Sequence, residues 1–338
     1  MQFYRQFILS TLLFNFVLFS ACEQKRVALG ADNEIRIICS ELDKEVLGEV
    51  LAAIFSDTLY TPQPEPYYYF KFSDPETYDN LKEQAYVVVG AVNRDPGNPG
   101  LQLLKKLLPE DQFRASSIND PILFTRDVHA NKQLFMIMNT GSADQLMAAA
   151  SEKKQWIRKQ FHDQFIRRQG RFLFGDDRNT ELEKIIKKEH SWSIKIPWGW
   201  EMIRSMPDSN FVWIGREMPF QWISIHWKTG IYVKNELTAG QYLWNWPRNH
   251  YRSVQFSDYH FQLKNTKFKR HNAWRVDGVW ETINEMEAKG GPFRSYLFYD
   301  EENDRTYHIN MLIHNPGNDK SLYMRQLDLI AKTFKAVR

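Results

Sequence analysis

Hydrophobic and polar positions divide the chain into two textures. In the first, apolar strands alternate with amphipathic helical segments. Glu34 to Ser40 carries Ile35, Ile37 and Ile38 and reads as a strand. From Asp43 to Leu59, Val46, Leu47, Val50, Leu51, Ile54 and Phe55 recur at the spacing of one helical face. The prolines of Thr61 to Pro66 stop that helix by removing donors and fixing extended backbone. Tyr67 to Phe72 predicts an aromatic strand, Pro75 to Gln84 a short helix and Tyr86 to Val92 a buried strand. After the turn-rich Asn93 to Gly100, Leu101 to Leu108 is helical. Ile122 to Val128 and Gln133 to Met138 form an expected strand pair. Ser142 caps a long helix whose buried face is Leu146, Ala150, Ile157, Phe161 and Phe165. Gly170 and Gly175 weaken it, and Asn179-Thr180 starts a second helix to about His190.

At Ser191 the period shortens. Strands are expected at Ser193 to Ile196, Trp200 to Ser205, Phe211 to Arg216, Trp222 to Trp227, Ala273 to Thr282 and Arg294 to Tyr299. A charged turn joins Phe298 to Tyr307 in a hairpin. A short helix follows a Thr238 cap and ends near Pro247, and Ser321 to Lys335 reads as a closing helix. The fold class is α+β: two sandwich-like domains, 34–190 and 191–338, with mainly antiparallel sheets, helices on one face, and a long helical segment joining them.

The segment before residue 34 has a different character. Arg5 is followed by a mostly apolar run, Phe7 to Phe19, which is too short for the roughly 20 apolar residues of a spanning helix. Phe19-Ser20-Ala21-Cys22 resembles a bacterial lipobox, in which the cysteine thiol receives a diacylglycerol. This predicts a signal peptide over 1–21, lipid attachment at Cys22 and a polar tether over 22–33. A lipid anchor binds stably when more than one acyl chain is buried. The expected location is the cell envelope, at the periplasmic face of an outer membrane, with the membrane as first partner.

Composition narrows the function classes. The net charge is +3, and basic and acidic residues nearly cancel, so no global field points to nucleic acid. There are two cysteines. With Cys22 lipidated, Cys39 has no partner for a disulfide and reads as an inert buried thiol. Aromatic content is 14%, with 11 Trp. Large cores explain this, and an aromatic groove for a sugar or lipid is the alternative.

The lipobox, "EIRIICS", "LGEVLAAIF" with "PQPEP" after it, "IKIPWGW", "NFVWIGRE", "WETINEMEAKGGPFRSY" and "MRQLDLIAKTF" together resemble the envelope lipoproteins grouped as domain-of-unknown-function family 4837, typical of Bacteroidetes-like bacteria. "MEAKGGPF" departs from the tighter "DFMGGPF"-like run of that pattern. The second half also resembles the PsbP/Mog1-type α+β fold, which implies a role in binding or assembly. Neither resemblance implies an activity or a cofactor.

Catalytic signatures are sparse in the sequence. No phosphate loop, nucleophile elbow or H-E-x-x-H occurs. Ser151 to Lys154 fits S-x-x-K on an exposed helical stretch, a pattern common by chance. His308 and His314 share one face of a strand near Asp300 and Asp304, which reads as surface histidines rather than a metal site, and no metal is expected. Candidate ligand or partner contacts are Trp198 and Trp200 around Gly199, and Gly290, Gly291, Pro292 and Arg294 in a glycine-rich loop. The sequence favours a non-catalytic binding or assembly module without cofactor, with an envelope protein, glycan or lipid as partner. A carrier of an apolar ligand and a hydrolase of envelope glycan or lipid remain alternatives.

Overall fold

The computed structural model describes residues 25–61, 63–251, 253–283 and 288–337. Cys22, Glu285 and Glu287 lie outside these. The chain begins with β1 (Glu34–Ile38), α1 (Glu41–Ile54), β2 (Thr58–Leu59), β3 (Glu65–Pro66), β4 (Tyr69–Ser73), α2 (Tyr78–Leu81), β5 (Tyr86–Ala91), α3 (Pro99–Leu107), α4 (Glu110–Ile118), β6 (Ile122–Arg126) and β7 (Leu134–Asn139). It continues with α5 (Ala143–Phe174), α6 (Thr180–His190), β8 (Trp192–Ser193), β9 (Glu201–Met206), β10 (Phe211–Arg216) and β11 (Phe220–Thr229). The last elements are α7 (Glu236–His250), β12 (Val254–Phe268), β13 (His271–Thr282), β14 (Gly290–Asp300), β15 (Arg305–His314), α8 (Ser321–Ala331) and β16 (Lys335–Ala336). The α+β class holds.

Among the described residues two compact units result, within 1–47 with 70–149, and within 48–69 with 150–338. The expected boundary at residue 191 is displaced. Helices α5 (from Ala150) and α6 supply Phe165, Leu173, Leu182 and Ile186 to the second unit's core, together with Leu59 from the stretch after α1. Sequence proximity to the first sheet suggested otherwise, but their apolar faces are buried with the second.

The first unit's sheet has the order β4-β1-β5-β7-β6. Its centre is parallel, with Ile38 opposite Val89 and Val89 opposite Ile137, and only the β6–β7 hairpin is shown antiparallel. This corrects the expectation of a mainly antiparallel first sheet. The runs Tyr86–Ala91 and Leu134–Asn139 are buried at every position, as central parallel strands are. The expected tether is partly structured: Val27 bridges Asn131, Leu29 bridges Gln84, and Ala28 is buried.

The second unit's sheet is antiparallel in all its pairs, in the order β12-β13-β14-β15-β11-β10-β9. Alternate residues face opposite layers. Ile223, Ile225, Tyr307, Ile309, Met311 and Ile313 join α8 in one core. Phe256, Val276, Phe293, Leu297 and Leu312 join α7 in another. Helices therefore cover both faces, not one. Strand β12 was not foreseen, because "SVQFSDYHFQLKNTKFK" mixes charge into its alternation, as a sheet edge does. Helix α7 starts one turn earlier in logic than Thr238 suggested: Asn235 is the N-cap, and Thr238 completes a capping box with it. It also continues past Pro247 to His250, since proline lacks a donor but its carbonyl still accepts from Tyr251 N.

Candidate functional site

Each residue singled out in the sequence has a definite place. Trp198 is 74% exposed beside Gly199, whose φ is +74°. Trp200 is 2% exposed, packs in the core shared with α8, and its carbonyl accepts from Asn179 Nδ2. The pair is therefore split, and only Trp198 offers a surface. Gly290, Gly291 and Pro292 belong to β14 and not to a free loop, with Gly291 opposite Trp280 and Pro292 opposite Val279. A Cβ on Gly291 would lie 2.0 Å from Ile313 O, the oxygen that also accepts from Trp280 Nε1. The glycine is required by this close approach of backbone and indole. His308 and His314 also part company: His308 lies opposite His226 and under Trp246, while His314 Nδ1 meets Gly290 O at 2.9 Å.

Arg294 is the residue that leads to a site. It is 6% exposed and projects from β14 on the face that carries Tyr296 and Phe298 into the α8 core. The register sets Arg294 opposite Asp277 and Arg275 opposite Tyr296. Arg294 Nε donates to Asp277 Oδ1 at 2.6 Å, and Arg275 donates through Nε and Nη2 to Asp277 Oδ2 at 2.7 and 2.6 Å. Lys264 of β12 stands 3.5 Å from the same oxygen. Helix α8 brings a second acid. Asp328 accepts from Tyr296 OH and Lys332 Nζ at 2.7 Å each, and Arg294 Nη1 is 3.6 Å away. The spacing Asp328 to Lys332 is one helical turn, which aligns the pair.

Burial works to raise the pKa of both carboxyls, but Arg294 first, then Arg275 at Asp277 and Lys332 at Asp328, hold them below the ordinary carboxylate range. Burial likewise opposes the charge on Arg294, and Asp277, then Tyr67 and Asp328, more than offset it. Both acids are thus fixed as acceptors. Neither can serve as a proton donor near neutral pH, which a glycosidase general acid must do.

These strands and α8 form one wall of a cleft of about 430 Å³ within the second unit. The opposite wall is Arg158, Lys159 and His162 of α5, with Phe55 and Asp57 after α1 and Tyr67-Tyr68 before β4. Arg158 pairs with Asp57. Arg325 lies 3.6 Å from the Phe165 ring centroid and 4.6 Å from that of Tyr68, and its Nη2 donates to Tyr68 OH at 2.7 Å. Lys and Arg contribute Arg158, Lys159, Arg275, Arg294, Arg325 and Lys332, against Asp57 and Asp328. His162 is held below its usual pKa by burial, then by Lys332 and Arg325, so it adds no charge at neutral pH. The cleft is therefore cationic, and Phe55, Tyr67 and Tyr68 add aromatic rings to its lining.

A second cavity of about 230 Å³ adjoins it and shares Asp57, Tyr67, Arg275 and Arg294. The sequence pointed to Arg294 for the wrong reason and missed the rest. The one available signal was Arg275-Val276-Asp277, two opposite charges at strand spacing within an otherwise apolar run.

Residues 247–333 match the family model described as a domain of unknown function, DUF4837. This DUF4837 stretch contains β12 to β15 and α8, and so one wall of the cleft. No curated protein matches the chain. The Ran-binding protein Mog1p of Saccharomyces cerevisiae is a similar solved structure, 9% identical, covering 44% of this chain and 90% of its own, with a TM-score of 0.31. LpqN of Mycobacterium tuberculosis, described as involved in cell envelope biogenesis, is 10% identical, covers 44% and 83%, and has a TM-score of 0.29. A Bacteroides thetaiotaomicron structure is 10% identical over 44% of this chain and 46% of its own, at 0.26. Among the described residues no helix is long and apolar enough to cross a membrane, and no cluster of three or more His, Cys, Asp or Glu could hold a metal ion.

Proposed function

We propose that this protein is a lipid-anchored binding module of the cell envelope, and that the cationic cleft of the second unit holds an anionic ligand. The carrying observation is the surplus of Lys and Arg over Asp on the cleft walls, organised around the buried Arg294. Arginine forks present paired donors suited to carboxylate or phosphate groups. The acids nearby act as positioning groups, because their partners keep them ionised.

The anchor is the lipobox cysteine, Cys22. Because Lys25 already donates to Asp127 O and Val128 O, the span from Cys22 to the first packed residue is about 10 Å at full extension. An acylated chain would hold the first unit against the bilayer, not on a long leash.

The test has two arms. Cys22→Ser should move the protein from sedimented membranes to the supernatant; equal retention would remove the anchor. All 11 tryptophans lie in the second unit, so its melting is read by their fluorescence. Phosphate, sulfate or citrate at about 100 times Kd should stabilise that transition by about 2.7 kcal/mol, less at high ionic strength, and not in Arg275→Ala. A melting point that ignores every anion would refute the cleft as a ligand seat.

A further inference from the structure

We infer that the ligand of this cleft is a phosphorylated sugar, with its phosphoryl group in the larger cavity and its hydroxyls in the smaller one. This rests on the reading of the cleft as an anion site and deepens it. The charge balance selects the head group. Six Lys and Arg against Asp57 and Asp328 leave a surplus of four on the walls of the larger cavity; Asp277 behind Arg275 and Arg294 offsets one, and Asp163, 2.6 Å from Lys159, another, which leaves two. A single carboxylate leaves half of that surplus uncompensated. A phosphate monoester, near −2 at neutral pH with three acceptor oxygens, compensates more of it and matches several donors at once.

The adjoining cavity selects the body. Its lining includes Ser56, Thr58, Tyr60 and Gln262, the ion-paired Lys264 and Asp277, and the shared Arg275 and Tyr67. Hydroxyl, phenol and amide groups there offer both donors and acceptors, which complement a polyhydroxyl ring and not an acyl chain. Tyr60 is stacked on His260 with centroids 3.5 Å apart, which fixes its ring plane. Because Arg275, Arg294, Tyr67 and Asp57 line both cavities, one ligand can occupy the two at once.

Calorimetry on the full chain in detergent, with glucose 1-phosphate, inorganic phosphate, glucuronate and glucose, tests this. Glucose 1-phosphate should bind about tenfold more tightly than inorganic phosphate, the worth of one or two added hydrogen bonds, and glucose should give no heat. Gln262→Ala, a change outside the ion network, should reduce the glucose 1-phosphate affinity and leave that of inorganic phosphate unchanged. Equal affinities for the two phosphates, or tighter glucuronate, would overturn the sugar phosphate and leave the anion site standing. Silence from all anions would overturn both. A deacylated, phosphorylated lipopolysaccharide core oligosaccharide separates the sources. Tighter binding than glucose 1-phosphate identifies an envelope glycan, weaker binding a free sugar phosphate, and either supports the assignment.

Discussion

Asp43 in the first unit and Asp277 in the second are both buried carboxylates, and they are satisfied in opposite ways. Asp43 Oδ1 accepts from the backbone N–H of Val92 and Asn93 at 2.8 and 2.7 Å, and Oδ2 from Ser40 Oγ and Asn98 Nδ2 at 2.7 and 2.8 Å. Every one of these donors is neutral. They lie where β1 and β5 end, so the acid ties strand ends to the N-cap of α3, Asn98. Asp277 is held by Arg294 and Arg275 instead. A neutral cage consumes its donors and closes the site. Guanidinium partners have more donors than one carboxylate can take: Arg294 Nη2 goes on to Tyr67 OH at 3.2 Å and Nη1 approaches Asp328, and both arginines line the cleft. The same buried acid thus makes a staple in one unit and, in the other, stands behind two arginines that line a cationic cleft.

The comparison can be broken first at Arg294. Arg294→Met leaves Asp277 and Asp328 without their shared buried cation and should cost about 3–5 kcal/mol of stability. Urea unfolding followed by tryptophan fluorescence reads the second unit alone, and a loss below about 1 kcal/mol would contradict the ion network. Asp43→Asn retains one acceptor and turns an amide toward the Asn98 Nδ2 donor. It should cost about 1–3 kcal/mol, seen in the far-ultraviolet transition with the tryptophan transition in place. A shift of the tryptophan midpoint of equal size would mean that the cage is not local to its unit.

Smaller, but diagnostic, is an acid slope in the second unit. His226, His250 and His308 lie together under Trp246, with His226 4.6 Å from His250 and His308 4.3 Å from the indole by ring centroids. Burial holds all three below their usual range, His226 down at about 3, with the neighbouring imidazoles adding to the effect at His226 and His308. Tyr242 OH meets His226 Nδ1 at 2.9 Å, and Lys228 is the nearby cation. Above about pH 6.5 these groups are neutral folded and unfolded, and their contribution is intact. As pH falls from there towards 3, the unfolded chain takes protons that the folded chain refuses. Stability should drop by about 1.4 kcal/mol per pH unit for His226, and His308 and His250 act in the same direction. A flat profile between pH 6.5 and 5 would show that they titrate normally. Smallest of all, Trp198→Ala should change stability by less than about 0.5 kcal/mol, since the indole is exposed; a larger loss would place it in a packed contact.

Much of the fold was legible. Leu146, Ala150, Ile157, Phe161 and Phe165 are buried along α5 as their spacing required. Asn179 caps α6, accepting from Leu182 N. The charged turn between β14 and β15 is where alternation placed it. The misreadings share a cause. Gly290-Gly291-Pro292 has loop chemistry by local rules, but in β14 the glycines admit the Ile313 carbonyl and the Trp280 indole. Trp198 and Trp200 look equivalent in sequence, and only packing separates them. The cleft drew on residues from 55 to 332, with no local motif to announce it.

Sequence by itself determined the period of each element, the caps, the charged hairpin turn, the α+β class and the lipobox pattern at Cys22, because each depends on neighbours within a few residues. Tertiary structure alone decided the parallel order of the first sheet, the unit to which α5 and α6 contribute their apolar faces, and the meeting of Arg275, Arg294 and Lys332 with Asp277 and Asp328. Those outcomes depend on which surfaces exclude water together and which charges are buried with a partner, and both are properties of the packed chain rather than of any window along it.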